Sequence, residues 1–349
     1  MSGIHDKTDG AVTDHGGSLE RARGLFPDAP QPWLDLSTGI NPHSYPHPPL
    51  SATALSRLPE PAAAARLVAA AAAAYGAPSA ASVVAAPGTQ MLLPPVMALV
   101  PPGRAAVLSP TYAEHARTAA LAGHAVAEAG DLAALAGADL AVVVNPNNPD
   151  GRILRRADLL ALARALHGKG GLLVVDEAFM EVGPGAESVA GDVEDFPIVV
   201  LRSFGKFYGL AGVRLGFAAA AAPTAARLAA WLGPWAVSGP ALEIGTAALA
   251  DRGWQRAMRA RLETESARLE ELIRYAGLTA CGGTPLFRLF RHARAAGLFD
   301  LLGRHGILVR AFQRDAGLLR FGLPGSEDGW TRLAAALRLW SRASGSGGP

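Results

Sequence analysis

Lys206 has the least ordinary setting of any charged residue in this chain. It sits in Ser203-Phe204-Gly205-Lys206, one residue past the apolar run Ile198-Val199-Val200-Leu201, and Arg214 follows eight residues later. Burying an unpaired ammonium is costly, so a lysine at the end of a buried strand needs a partner or a task. One such task is a Schiff base with pyridoxal phosphate (PLP), with Ser203 and Arg214 beside the cofactor's phosphate. The plainer reading is a strand-end lysine whose tip reaches water. A nucleotide phosphate loop fits badly: Val200 stands where that loop needs glycine, and Phe207 where a hydroxyl should hold magnesium.

Two further strand ends carry chemistry. Leu172-Leu173-Val174-Val175 runs into Asp176-Glu177. A carboxylate there can pair with the pyridine nitrogen of PLP and keep it protonated, which makes the ring an electron sink. Leu140-Ala141-Val142-Val143-Val144 runs into Asn145-Pro146-Asn147-Asn148-Pro149-Asp150-Gly151. Pro and Gly force a turn, and Asn148 offers an amide donor to the cofactor's phenolic oxygen. Taken singly, a strand-end Asp often caps a helix, and the Asn-Pro segment is often only a turn. All three lie at the C-terminal ends of strands, the edge where open α/β sheets bind ligands.

In this order Asn148, Asp176, Lys206 and Arg214 resemble the fold-type I PLP enzymes, the aspartate aminotransferase superfamily, in the branch that includes histidinol-phosphate aminotransferase. The resemblance spans about residue 14 to about residue 340. Asp14-His15-Gly16-Gly17, the run Trp33 to Pro42 and Leu319-Arg320-Phe321-Gly322-Leu323-Pro324 are similar to the threonine-phosphate decarboxylases of cobalamin biosynthesis. The resemblance implies a homodimer with PLP in each subunit. It also implies that Gly88, Thr89 and Gln90 receive the phosphate and that Tyr112 stacks on the pyridine ring. From the residues alone, Pro87-Gly88-Thr89-Gln90 is a strand-to-helix turn whose free N–H groups suit an anion, and Thr89 could equally be an ordinary N-cap. Tyr112 could equally be a core residue. Two departures stand out. Phe179 replaces a tyrosine that donates to the phenolic oxygen, and Leu58 replaces one that reaches the neighbouring subunit's phosphate.

An amino-acid substrate brings a carboxylate, and a phosphorylated one adds a dianion; both suit arginine. Arg310, in Ile307-Leu308-Val309-Arg310-Ala311, and Arg320, in Leu318-Leu319-Arg320-Phe321, lie in apolar strands. Each needs an anion, either a ligand or a protein carboxylate such as Asp315. His15 could close over substrate, because Gly16 and Gly17 allow close backbone approach; otherwise it is a tail histidine. The resemblance adds Gly16, Gly17 and Asn41 to the substrate side. No metal site is expected. The same residues serve decarboxylation or transamination, depending on which Cα bond stands perpendicular to the ring, and fold alone cannot choose. The resemblance implies decarboxylation of L-threonine O-3-phosphate to (R)-1-amino-2-propanol O-2-phosphate. The alternatives are an aminotransferase acting on a phosphorylated amine such as histidinol phosphate, or a non-catalytic PLP-binding scaffold.

The elements that must place these residues follow from the pattern of the chain. Strands are expected at 82–86, 105–108, 140–144, 172–176, 198–202 and 214–219, and helices at 61–75, 89–99, 111–122 and 155–167. That alternation predicts an α/β domain with a mostly parallel sheet and helices on both faces. A long amphipathic helix at 254–275, strands at 286–290, 307–312 and 318–322, and a helix at 327–339 predict a smaller α+β domain. The expected division is an N-terminal segment, 1–49, that joins the small domain and carries two or three short extended pieces over 27–49; a PLP-binding domain, 50–235; and the small domain, 236–349. Residues 343–349 read as a disordered tail.

At 349 residues the chain can bury more than one core. The formal net charge is +2 with mixed signs, so no nucleic-acid partner is expected. The longest apolar stretch, 62–75, contains Arg66 and is too short to span a bilayer. No secretory signal is visible, and the single cysteine, Cys281, fits a reducing cytoplasm; it is expected to be buried at a strand end.

Overall fold

The computed structural model describes residues 16–345, which form two sheets. β1 (Leu34–Leu36) comes first. β2 (Val83–Ala86), β3 (Arg104–Leu108), β4 (Ala125–Ala129), β5 (Leu140–Val144), β6 (Leu172–Asp176), β7 (Ile198–Ser203) and β8 (Gly216–Ala219) make a sheet in the order β2-β8-β7-β6-β5-β3-β4. Only β8 runs against its neighbours. β5 and β6 are buried along their whole length. That is why their sequences are unbroken apolar runs rather than alternating ones: helices cover both faces of a parallel sheet.

β9 (Thr279–Thr284), β10 (Phe287–Arg291), β11 (Ile307–Ala311) and β12 (Leu318–Gly322) form the second sheet, and β1 joins it. The sheet order is β1-β11-β12-β10-β9. β1 pairs in parallel with β11, Leu34 opposite Ile307, so the N-terminal segment is part of this smaller sheet. The helix Gly239–Ala250 instead packs on the alanine-rich helix Pro61–Tyr75, on the side of the larger sheet.

Several expectations change for local reasons. The helix expected over 89–99 is a single 3-10 turn, Thr89–Met91, followed by Leu93–Met97, because Pro94 and Pro95 fit only a first helical turn. β8 starts at Gly216, since Arg214 stands in the left-handed region at φ 53°. Residues 27–49 hold one strand rather than two or three extended pieces. β4 was not expected: Ala125 to Ala129 is a half-exposed edge with no buried apolar run. The last helix, Glu327–Gly345, continues into the residues expected to be a tail. Cys281 is exposed rather than buried, because β9 is the edge strand of its sheet.

Candidate active site

The C-terminal ends of β2, β3, β5, β6 and β7 share one edge. The antiparallel β8 brings its N-terminal end, with Arg214, to the same edge. Between this edge and the smaller sheet lies a cleft of about 800 Å³. Gly88, Thr89, Gln90, Tyr112, Asn148, Asp176, Ser203, Lys206 and Arg214 line one wall, and Gly16, Arg310 and Arg320 line the other. Twelve residues distant in sequence therefore meet in one space. Gly17 and Asn41 do not line it, and His15 lies outside the described residues.

Lys206 follows β7 on the one-turn helix Phe204–Phe207. Burial pulls its ammonium down to about 8, Arg320 and Arg214 add to the effect, and Asp176 opposes it. A lysine so placed is neutral often enough near neutral pH to act as nucleophile or base. Lys206 is half-buried and lines the cleft, which sets it apart from a strand-end lysine on the outer surface. Asp176 is 7% exposed and accepts hydrogen bonds from the Ala178 amide (3.0 Å) and from His115 Nε2 (2.9 Å). His115 is wholly buried and holds the carboxylate at a fixed angle. It was missed in the sequence. The available signal was its place three residues after Tyr112, in the first turn of the helix Glu114–Leu121; their rings meet edge to face at 5.6 Å.

The phosphate side is built by backbone. Gly88 (φ +88°) opens the turn, and a Cβ on it would lie 2.6 Å from Arg214 Nη2. Only glycine lets that guanidinium close on the turn. Gly216 likewise leaves room for the Thr89 amide, which a Cβ would meet at 2.4 Å. Gln90 accepts from the Tyr112 hydroxyl and donates to Glu114, both at 3.1 Å, which fixes the tyrosine ring at the cleft. Burial first, then Glu114 and Asp176, push Tyr112 up to about 12, so it stays a phenol.

On the opposite wall, Arg310 and Arg320 face each other across the β11–β12 pair. Directly opposed residues of an antiparallel pair point to the same face, where like charges repel. Burial first, then Arg310, press the Arg320 guanidinium toward its neutral form, with Asp35 opposing. Arg320 donates to Asn148 Oδ1 and to the Ser37 carbonyl (2.9 Å), and lies 4.8 Å from the Phe287 ring centre. Asp315 is not the partner of either strand arginine, since it pairs with Arg291 at 2.6 Å. Asn148 thus ties the two walls together, a position no turn motif reveals.

Asn41, expected on the substrate side, has another task. Its amide donates to the Phe207 carbonyl (2.7 Å), its oxygen accepts from the His43 amide (2.9 Å), and its backbone donates to the Lys206 carbonyl (2.9 Å). It holds the lysine turn in place. Gly17 donates to Ser37 Oγ (2.7 Å), which positions the segment that carries Gly16 to the cleft. Phe179 packs edge to face on Phe287 at 5.1 Å and closes the floor of the cleft below Lys206.

The family model described as aminotransferase class I and II matches residues 49–337. The chain belongs to this family. A threonine-phosphate decarboxylase from Pseudomonas aeruginosa is 45% identical over 93% of this chain and 97% of its own length. A histidinol-phosphate aminotransferase from Symbiobacterium thermophilum is 36% identical over 61% of this chain and 62% of its own. The fold matches the crystal structure of the histidinol-phosphate aminotransferase from Clostridium acetobutylicum at TM-score 0.77 and 20% identity, covering 89% of this chain and 99% of that one. In this member of the class I and II aminotransferase family the residues present fit PLP. Lys206 would be the amine, and Asp176 braced by His115 would be the carboxylate for the ring nitrogen. Gly88, Thr89, Ser203 and Arg214 suit the phosphate, and Tyr112 suits the ring face.

Proposed function

We propose that this chain is a PLP-dependent carboxy-lyase that converts L-threonine O-3-phosphate into (R)-1-amino-2-propanol O-2-phosphate in cobalamin biosynthesis. The observation that carries the reading is the 45% identity to a threonine-phosphate decarboxylase along nearly the whole of both chains. Arg310 and Arg320 support it as well. Both line the cleft, and a substrate with a carboxylate and a phosphate suits two guanidinium groups.

Bound PLP supplies the electron sink for the bond broken at the substrate's Cα. Asp176, held by His115, keeps the proton on the pyridine nitrogen. Asn148 carries its amide toward the cofactor side while its oxygen accepts from Arg320. The carboxylate-binding wall and the cofactor wall therefore share one residue. Lys206 Nζ, whose ammonium burial disfavours, would give up a proton readily and so suits the delivery of one to Cα after carbon dioxide leaves. The phosphate anchors the substrate, and that binding energy is used to turn the scissile bond.

We infer a cytoplasmic homodimer. Support for the dimer comes from the exposed apolar side chains Leu55 (83%), Leu58 (64%) and Trp235 (58%). They lie near the point where Gly239 packs on the Ala54 backbone. No helix among the described residues is long and apolar enough to cross a membrane. The reaction is tested by feeding threonine phosphate and following carbon dioxide and amine product, with and without 2-oxoglutarate. Carbon dioxide release independent of the keto acid is expected. Glutamate formation without carbon dioxide rejects the decarboxylase in favour of transamination. Sedimentation of the purified protein tests the dimer.

A further inference from the structure

A further cation lies at the mouth of the cleft, away from the arginines of the strands. Arg314 lines the cleft from the turn between β11 and β12, and Glu128 lines it from the edge strand β4. Arg314 Nη1 lies 2.6 and 2.9 Å from the two Glu128 oxygens, so this ion pair joins the two walls of the cleft. The Arg314 side chain is 81% exposed and that of Glu128 40%. Such a pair is weak and readily exchanged. The base of the turn is not free in the same way. Asp315 Oδ1 accepts from the Gly317 amide (3.1 Å), Asp315 pairs with Arg291, and the His292 amide donates to the Gly317 carbonyl (3.0 Å). A fixed turn therefore carries one long, mobile cationic side chain at the mouth of an anion-binding cleft.

We propose that Arg314 is a specificity-determining residue that exchanges Glu128 for the phosphate of the substrate. Glu128 is then the resting partner that an incoming monoanion cannot displace and a dianion can. A phosphate presents three acceptor oxygens and nearly two charges to the guanidinium, against one charge on Glu128. Free threonine leaves Arg314 parked on Glu128 and gains nothing from it. This rests on the proposed phosphate-bearing substrate, and deepens it by naming the residue that tells phosphorylated from free amino acid.

The test measures kcat/KM for threonine phosphate and for threonine with the PLP-loaded parent, Arg314→Ala, Arg314→Lys and Glu128→Gln. Calorimetric affinities for threonine phosphate in the Lys206→Ala background give a readout apart from turnover. The expected result is that Arg314→Ala narrows the preference for the phosphorylated substrate by about 10- to 100-fold, the size of one charged hydrogen bond, and weakens its binding in parallel. Arg314→Lys recovers part of the preference, as a point charge without the fork. Glu128→Gln tightens threonine phosphate by about threefold, because the resting competitor is weakened. Truncating so exposed a side chain leaves folding intact, which the melting temperature checks. A parent enzyme with no preference for phosphate overturns the substrate reading itself. A parent with the preference, together with variants that keep both it and the parental affinity, overturns the role of Arg314.

Discussion

Two acid–base clusters sit back to back at the ends of β6 and β7, and they are built to opposite ends. Asp176 and Glu177 are adjacent, so in a strand they point to opposite faces. Asp176 turns to the cleft with Lys206; Glu177 turns to the core with Arg202. In the core cluster Glu177 is fully partnered. Glu177 accepts from Ser188 Oγ (2.7 Å) and the Val189 amide (2.9 Å) and lies 3.0 Å from Arg202, whose guanidinium also stacks 4.8 Å from the Tyr75 ring. The cleft cluster is left with capacity. Lys206 has no carboxylate in ion-pair range among the described residues, and its neighbours Arg214 and Arg320 repel it. Buried charge that is fully paired stabilises or specifies structure, while buried charge left short of partners is poised to react.

That contrast can be broken from either side. The largest expected effect is on turnover. Lys206→Ala should lower kcat on the order of 10,000-fold, in the range of a removed nucleophile and base, with its melting temperature at or above the parent's. Borohydride should fix the cofactor to the parent chain at Lys206 and not to the variant, as peptide mapping would show.

Asp176→Asn comes next. It should retain cofactor and lose about 100- to 1,000-fold in kcat, since the ring nitrogen is no longer held protonated. A parental rate would remove Asp176 from the site. On the core side, Arg202→Met leaves Glu177 and Glu181 buried without their cation. It should cost about 3–5 kcal/mol in stability, read by urea unfolding, with the folded fraction still turning over.

The smallest effect is in pH, where the clusters should move in opposite directions. Lys206 in the cofactor-free protein titrates near 8 against 10.5 when unfolded, so the unfolded chain holds more protons between those values. Its contribution therefore makes stability rise with pH across that window, and Lys206→Met should flatten the rise. Burial pushes Glu181 up from 4.5 to about 7, with Arg202 opposing. Its contribution is present below 4.5 and lost as pH climbs through 7, and Glu181→Gln should remove that loss. Melting curves from pH 4 to 10 separate the two slopes.

The chain's own pattern determined the cofactor wall. β5, β6 and β7 are buried on both faces, so their apolar runs are unbroken and the polar residues that follow them are conspicuous: Asn145 and Asn148, Asp176, Arg202, Ser203 and Lys206. Local rules carried that far because each residue's position depends on its own strand. Tertiary structure alone decided the rest. His115 finds Asp176 across 61 positions, Arg320 finds Asn148 across 172, and Arg314 finds Glu128 across 186. Asn41 exchanges a substrate role for the backbone of the Lys206 turn in the same way, at a separation of 166 for its amide bond to Phe207. Such pairings depend on how two sheets face one another across a cleft. No periodicity within either segment encodes that geometry, because the contact energy arises only after both elements have folded and packed.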